Sequence, residues 1–302
     1  MSNTQNTQNC VEVADIEVEV TDENEDISLD YIDPQEYSAE KYQQLCWDAV
    51  KQNADNFCFV DPSYFSGNND QKNKNYFEIA KFAISKDYFN INYVKFDFLT
   101  YGGGAYDARE NYYELCDLAI DHRSVLNYDT LKYIKAKYLD LHHYLILTYK
   151  CLAVWVGNIK YIDTKFFNKE VYFDLVKSLL KKSPFLLRRI KVGFLPNKNR
   201  DYYHLCKMVV EKNRYDSIRY VKGEDLEKKE YYQLCLIALK RSIGNICHIE
   251  PKHLTAEHYL QCCREISKKR CYLEVIQREF LPKKYQGISL LDSDSYDILL
   301  KS

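Results

Sequence analysis

The sequence predicts an all-α protein: a right-handed αα-solenoid of about eight two-helix repeats of about 30 residues each. Three observations predict it. Glycine and proline number 9 and 6 in 302 residues, too few for the many turns of a large all-β chain. One phrase recurs in nearly the same letters, as YYELCDLAI (Tyr112–Ile120), YYHLCKMVV (Tyr202–Val210) and YYQLCLIAL (Tyr231–Leu239). Looser copies continue in the same phase along the chain.

In chain order, residues 1–34 come first and are polar and acidic. Residues 1–40 hold twelve Asp or Glu and no Lys or Arg, while the whole chain has 44 acidic and 42 basic residues. An acidic tail therefore precedes a basic body. Val11–Val20 alternates apolar and acidic residues as a strand would, but no partner strand is visible, so the tail reads as disordered.

The array is read over residues 35–285. Its units start at Tyr42, Tyr76, Tyr112, Tyr144, Tyr172, Tyr202, Tyr231 and Tyr259, at intervals of 34, 36, 32, 28, 30, 29 and 28 residues. Apolar or small residues follow each Tyr three, four and seven positions on, and mostly eight; Leu205, Cys206, Val209 and Val210 follow Tyr202. That spacing is the buried stripe of an amphipathic helix. A short apolar cluster comes next, as in FCFV (Phe57–Val60), INYV (Ile91–Val94), IKYI (Ile159–Ile162), IRYV (Ile218–Val221) and ICHI (Ile246–Ile249), with LRRI (Leu187–Ile190) a polar variant. It reads as a second, shorter helical segment. Connectors are marked by Asp61-Pro62 and Glu250-Pro251, because proline disfavours helix in the residue before it. Thr255 and Asp107 stand where N-caps belong, the latter with Glu110 three residues on. Asn68–Asn75 and Tyr101–Asp107 read as surface loops. Tyr296, Leu299 and Leu300 restart the stripe, so residues 286–302 read as a capping helix.

The stretches YQQLCWDAVKQNADNFCFVDPSYF (Tyr42–Phe65) and YYQLCLIALKRSIGNICHIEPKHL (Tyr231–Leu254) resemble the helical repeats of unknown function found in giant DNA viruses of amoebae and in some amoeba-dwelling bacteria. The resemblance covers about residues 38–285. It departs at the Asn-Gly turn of that family, which is Asn53-Ala54 in the first unit and Ser242-Ile243-Gly244-Asn245 in the seventh. The family has no assigned catalytic residues, so the resemblance implies none here. It implies an intracellular setting: host cytoplasm, or the virion if the protein is viral.

Packing accounts for most of the chemistry-bearing residues. The eleven Cys come without a secretory leader in MSNTQNTQNC and are expected to be reduced. Cys46, Cys116, Cys206, Cys235 and Cys263 share one stripe position, where a small thiol suits close helix packing. Cys247, His248, His253, His258, Cys262, Cys263 and Cys271 are the best case for zinc, but their spacing fits no standard ligand set. No nucleophile elbow, P-loop or dinucleotide fingerprint occurs, and Gly102–Gly104 reads as a loop. His122, His142 and His143 stand beside no nucleophile motif. No enzyme activity, cofactor, metal or membrane insertion is expected. The most suggestive stretch is basic: Lys177, Lys181, Lys182, Arg188, Arg189, Lys191, Lys198 and Arg200, with no acid between Asp174 and Asp201. The expected function is a non-catalytic scaffold for protein–protein interaction, with an unknown protein partner. The alternative is a nucleic-acid-associated protein using the basic 177–200 region, which the acidic tail could screen.

Overall fold

The computed structural model describes residues 27–101, 105–121, 129–212, 216–267 and 273–286. Among them every regular element is helical. The α-helices are α1 (Ala39–Gln52), α2 (Asn69–Lys86), α3 (Ala105–Asp121), α4 (Leu141–Val154), α5 (Lys169–Leu180), α6 (Lys198–Lys212), α7 (Lys228–Arg241), α8 (Ala256–Ser267) and the single turn α9 (Lys283–Gln286). Short 3-10 segments join them.

Each of α1 to α8 carries one of the eight repeat tyrosines, and none of these side chains is more than 2% exposed. Most of the stripe behind each is buried with it, as Leu205, Cys206, Val209 and Val210 are in α6. Each large side chain of such a stripe contributes about 1.5–3 kcal/mol on burial.

The residue after most of these helices turns extended while its N–H still bonds the carbonyl four residues back, as Asn53 does to Ala49 and Ser242 to Ala238. A 3-10 segment of six residues follows in five units: Ala54–Phe59, Tyr88–Tyr93, Val156–Tyr161, Pro184–Arg189 and Ile243–His248. The shorter helix of the repeat is therefore 3-10, not α. Its apolar spacing suits that form. Phe57 and Val60, Ile91 and Val94, Ile159 and Ile162, Leu187 and Ile190, and Ile246 and Ile249 are each three apart and buried. Residues three apart eclipse in a helix of three residues per turn, so one face carries both. A second 3-10 turn follows, with Pro62 or Pro251 at its start in two units, where a missing N–H costs nothing.

Two polar devices lock this pattern. All eight tyrosine hydroxyls accept a backbone N–H: from Asp61 to Tyr42 (3.1 Å), Lys95 to Tyr76 (2.8 Å), Lys135 to Tyr112 (2.9 Å), Asp163 to Tyr144 (2.6 Å), Lys191 to Tyr172 (3.0 Å), Lys222 to Tyr202 (2.9 Å), Glu250 to Tyr231 (3.0 Å) and Gln277 to Tyr259 (3.0 Å). The donor precedes the second 3-10 turn, so the tyrosine ties its helix to the end of its own unit. The second device is a buried asparagine. Asn56, Asn90, Asn158 and Asn245 donate through Nδ2 to the carbonyls of Ala49, Ala83, Cys151 and Ala238, seven residues back. These carbonyls in the last turn of a helix already accept a backbone N–H, and the amide fills the second lone pair.

The chain divides into two compact bodies, residues 1–143 and 144–302, with the division falling in α4. In the first body α1 packs on α2 and α2 on α3. In the second, α5, α6, α7 and α8 pack consecutively, and so do the 3-10 segments Val156–Tyr161, Pro184–Arg189, Ser217–Tyr220 and Ile243–His248. The array read as continuous over 35–285 thus falls into two bodies.

Several details differ from the sequence reading. Residues 27–34, assigned to the tail, lie on the first unit. Leu29 is buried, its N–H donates to Asn56 Oδ1 (3.0 Å), and Asn56 Nδ2 donates back to the Ile27 carbonyl (2.9 Å). Asn68–Asn75 is not a loop: Asn68 caps α2, accepting the Gln71 N–H at 3.0 Å, and the rest forms its first turns. Long-range side-chain amide bonds hold those turns, from Asn73 to the Thr100 carbonyl (2.6 Å) and from Asn75 to Gln43 (3.0 Å). Asp107 lies inside the first turn of α3 and is not its cap, whereas Thr255 does cap α8, accepting the His258 N–H at 3.1 Å. The strand-like Val11–Val20, Gly102–Gly104, His122, Cys271 and the capping helix after Gln286 lie outside the described residues.

Candidate interaction surface

With the stripe and the tyrosine bonds assigned to packing, the outward residues of the 3-10 segments remain. Each segment places two side chains just before its last buried apolar residue, and these point outward. In the first body the second of the pair is aromatic: Phe59 (48% exposed), Tyr93 (37%) and, before Ile134, the half-buried Tyr133. Phe89 joins them, 5.6 Å from Tyr93 and 4.8 Å from Tyr133 between ring centroids.

In the second body the first of the pair is basic in three consecutive segments: Lys160, Arg188 and Arg219. Arg188 and Arg219 are exposed, and neither side chain has a hydrogen bond or ion pair among the described residues. A shallow groove of about 490 Å³ runs from them past Cys247, His248 and Gln277 to Phe280. Its other charges are matched. Lys252 Nζ lies 2.9 Å from Glu250 Oε2, and that ammonium holds the Glu250 carboxyl below the usual carboxylate range. His248 Nε2 lies 3.3 Å from Asp216, and His253 Nε2 lies 3.3 Å from Glu250 and 3.7 Å from Glu224. Gly223 is required beneath, since a Cβ there would meet the His253 ring at 2.5 Å.

The basic residues singled out in the sequence do not act as one set. Lys177, Lys181 and Lys182 are exposed at the end of α5, with Lys177 Nζ 6.0 Å from the Phe173 ring centroid. Lys198 and Arg200 are exposed in the first turn of α6. Arg189 is half-buried over Trp155 (5.6 Å) and Phe185 (5.7 Å), with Nη1 3.4 Å from the Gly157 carbonyl. Lys191 donates through Nζ to the Ile162 carbonyl of the preceding unit, and Lys222 does the same to Ile190 at 3.1 Å. Arg188 alone of the eight lines the groove. Its companion Arg219 was missed because it lies one repeat further on, outside any continuous basic window.

The Cys and His residues of the last unit are spread over separate contacts. His258 stacks on Tyr232 (4.2 Å), His253 meets the edge of Tyr231 (5.8 Å), and Cys262 and Cys263 are buried while Cys247 is exposed. Among the described residues no group of three or more His, Cys, Asp or Glu is placed to hold a metal ion. Burial pushes the thiols of Cys46, Cys151 and Cys263 up to about 12, which keeps them protonated and unreactive at neutral pH. Among the described residues no helix is long and apolar enough to cross a membrane.

No protein-family model matches the chain, and no curated protein does. Among solved structures it is similar to a chain described as "Computational Design of Self-Assembling Cyclic Protein Homooligomers", at 11% identity over 89% of this chain and 88% of that one. The TM-score is 0.11, too low for the likeness to bear on fold or function.

Proposed function

We propose that the protein is a non-catalytic helical-repeat scaffold, each body a run of right-handed αα-solenoid, that binds another protein through the outward face of its 3-10 segments. One observation carries the reading. At the two positions of each segment that packing leaves free, the first body shows partly exposed Phe59 and Tyr93, and the second shows exposed Arg188 and Arg219, whose side chains make no hydrogen bond or ion pair among the described residues. Aromatic and arginine side chains are the usual anchors of protein interfaces. The resemblance to the repeats of amoeba viruses supports the same reading, and with it a place inside the host cell or the virion.

The nucleic-acid alternative would, for a single strand, gain from ring faces free for base stacking beside the cations. Along the 3-10 segments of the second body a cation lies over several rings: Lys160 Nζ sits 4.4 Å from the centroid of Tyr161, Arg219 lies 5.5 Å from that of Tyr220, and Arg189 lies over Trp155 and Phe185. A photo-crosslinking residue placed at Tyr93 tests the scaffold in extract of the native host. It should give protein adducts that survive nuclease, while the same residue at exposed Lys169 on α5 gives none. Adducts lost on nuclease treatment, or equal at both positions, would contradict the reading.

A further inference from the structure

We infer that the groove beside Arg188 and Arg219 takes an extended acidic segment of a partner protein, each guanidinium forking onto one carboxylate. The inference rests on the scaffold reading and names the chemistry of one partner. The two arginines come from the same register of consecutive 3-10 segments, Pro184–Arg189 and Ser217–Tyr220, which pack side by side. A ligand lying along the groove therefore meets two cations, one from each of two neighbouring repeats, as an extended chain with acidic side chains at intervals would need. Arginine suits the task because its planar donor fork matches a carboxylate.

The rest of the lining leaves that charge uncompensated. Glu250, the one acid lining the groove, is held by Lys252 at 2.9 Å. Phe280 at the far end offers an apolar contact for an aliphatic side chain of the same segment. A continuous phosphate backbone fits less well. The register opens with Lys160, whose ammonium lies over the Tyr161 ring at 4.4 Å, and after Arg188 and Arg219 continues as Cys247 and then Glu274, so the positive track ends after three residues. Asp216 and Glu224, both exposed, flank it. A peptide can place its carboxylates only where the arginines are; a nucleic acid carries a charge at every step.

The test uses the full chain and fluorescence anisotropy with two labelled probes, a Glu-rich peptide and an oligo-dT of equal charge. The wild type should bind the peptide more tightly than the oligonucleotide. Arg188→Glu/Arg219→Glu should weaken peptide binding at least about tenfold, the scale of one charge-assisted hydrogen bond. Arg188→Gln/Arg219→Gln should weaken it in the same direction with an unchanged thermal melt, which guards against a fold defect in the charge reversal. Lys177→Glu/Lys181→Glu, an equal charge change at the end of α5, should leave binding within about twofold. Absence of peptide binding, tighter binding of the oligonucleotide, or equal loss in the lysine control would each overturn the groove assignment. Nuclease-resistant crosslinks at Tyr93 beside a peptide that does not bind would remove the groove and keep the scaffold. Absence of both would remove both.

Discussion

The repeat tyrosines show why a phenol, and not a phenyl ring, stands at the head of each stripe. The ring fills the helix interface, and the hydroxyl oxygen accepts the N–H that opens the second 3-10 turn. Phenylalanine would fill the same space and leave that N–H without a partner. Tyr172→Phe is expected to lower stability by about 1–3 kcal/mol in chemical denaturation, with the Lys191 amide losing hydrogen-exchange protection. Position and burial of the tyrosine were legible from the stripe alone. Its bond was not, because the donor is a backbone group, and the residue that carries it varies from Asp61 to Lys191 to Gln277. Lys191 shows the converse error. It reads as a free surface charge in the basic stretch, yet its ammonium bonds the carbonyl of Ile162 in the preceding unit.

The helices themselves follow from periodicity, and all eight long ones lie where the tyrosine phase puts them. The segments between them were legible as helical but not as 3-10. The apolar ends of FCFV, INYV and IKYI are three apart, a spacing that puts both on one face in either helix type, so the sequence alone did not separate them. The asparagine immediately before those clusters was also visible in four units, and went unassigned because asparagine usually marks a turn. Its amide instead closes the helix end: Asn245 donates to the carbonyls of both Ala238 and Ser242 at 3.0 Å. Asn245→Ala is expected to cost about 0.5–1.5 kcal/mol, since it removes the amide's bonds to two carbonyls that each keep one backbone donor. The loss should appear as faster exchange in the last turn of α7 before it appears elsewhere. The misread Asn68–Asn75 has the same origin. Polar composition signals a loop, but Asn68 caps the helix and Asn73 and Asn75 bond outside it.

Across the assembled chain, side chains a repeat apart in sequence become neighbours. That is why a run of eight basic residues dispersed into unrelated roles, while Arg188 and Arg219 came to line one groove. A linear window cannot find such a site; aligning the units on their tyrosines can. The same logic governs stability. No unit buries its stripe alone, so each depends on both neighbours, and damage to one should spread along the stack. The most direct measurement is hydrogen exchange by mass spectrometry on Leu205→Asp. This substitution puts an unpaired charge at a position 2% exposed in α6, between α5 and α7. The account predicts loss of protection in α6 together with α5 and α7. Loss confined to α6, with α5 and α7 protected as in the wild type, would contradict it.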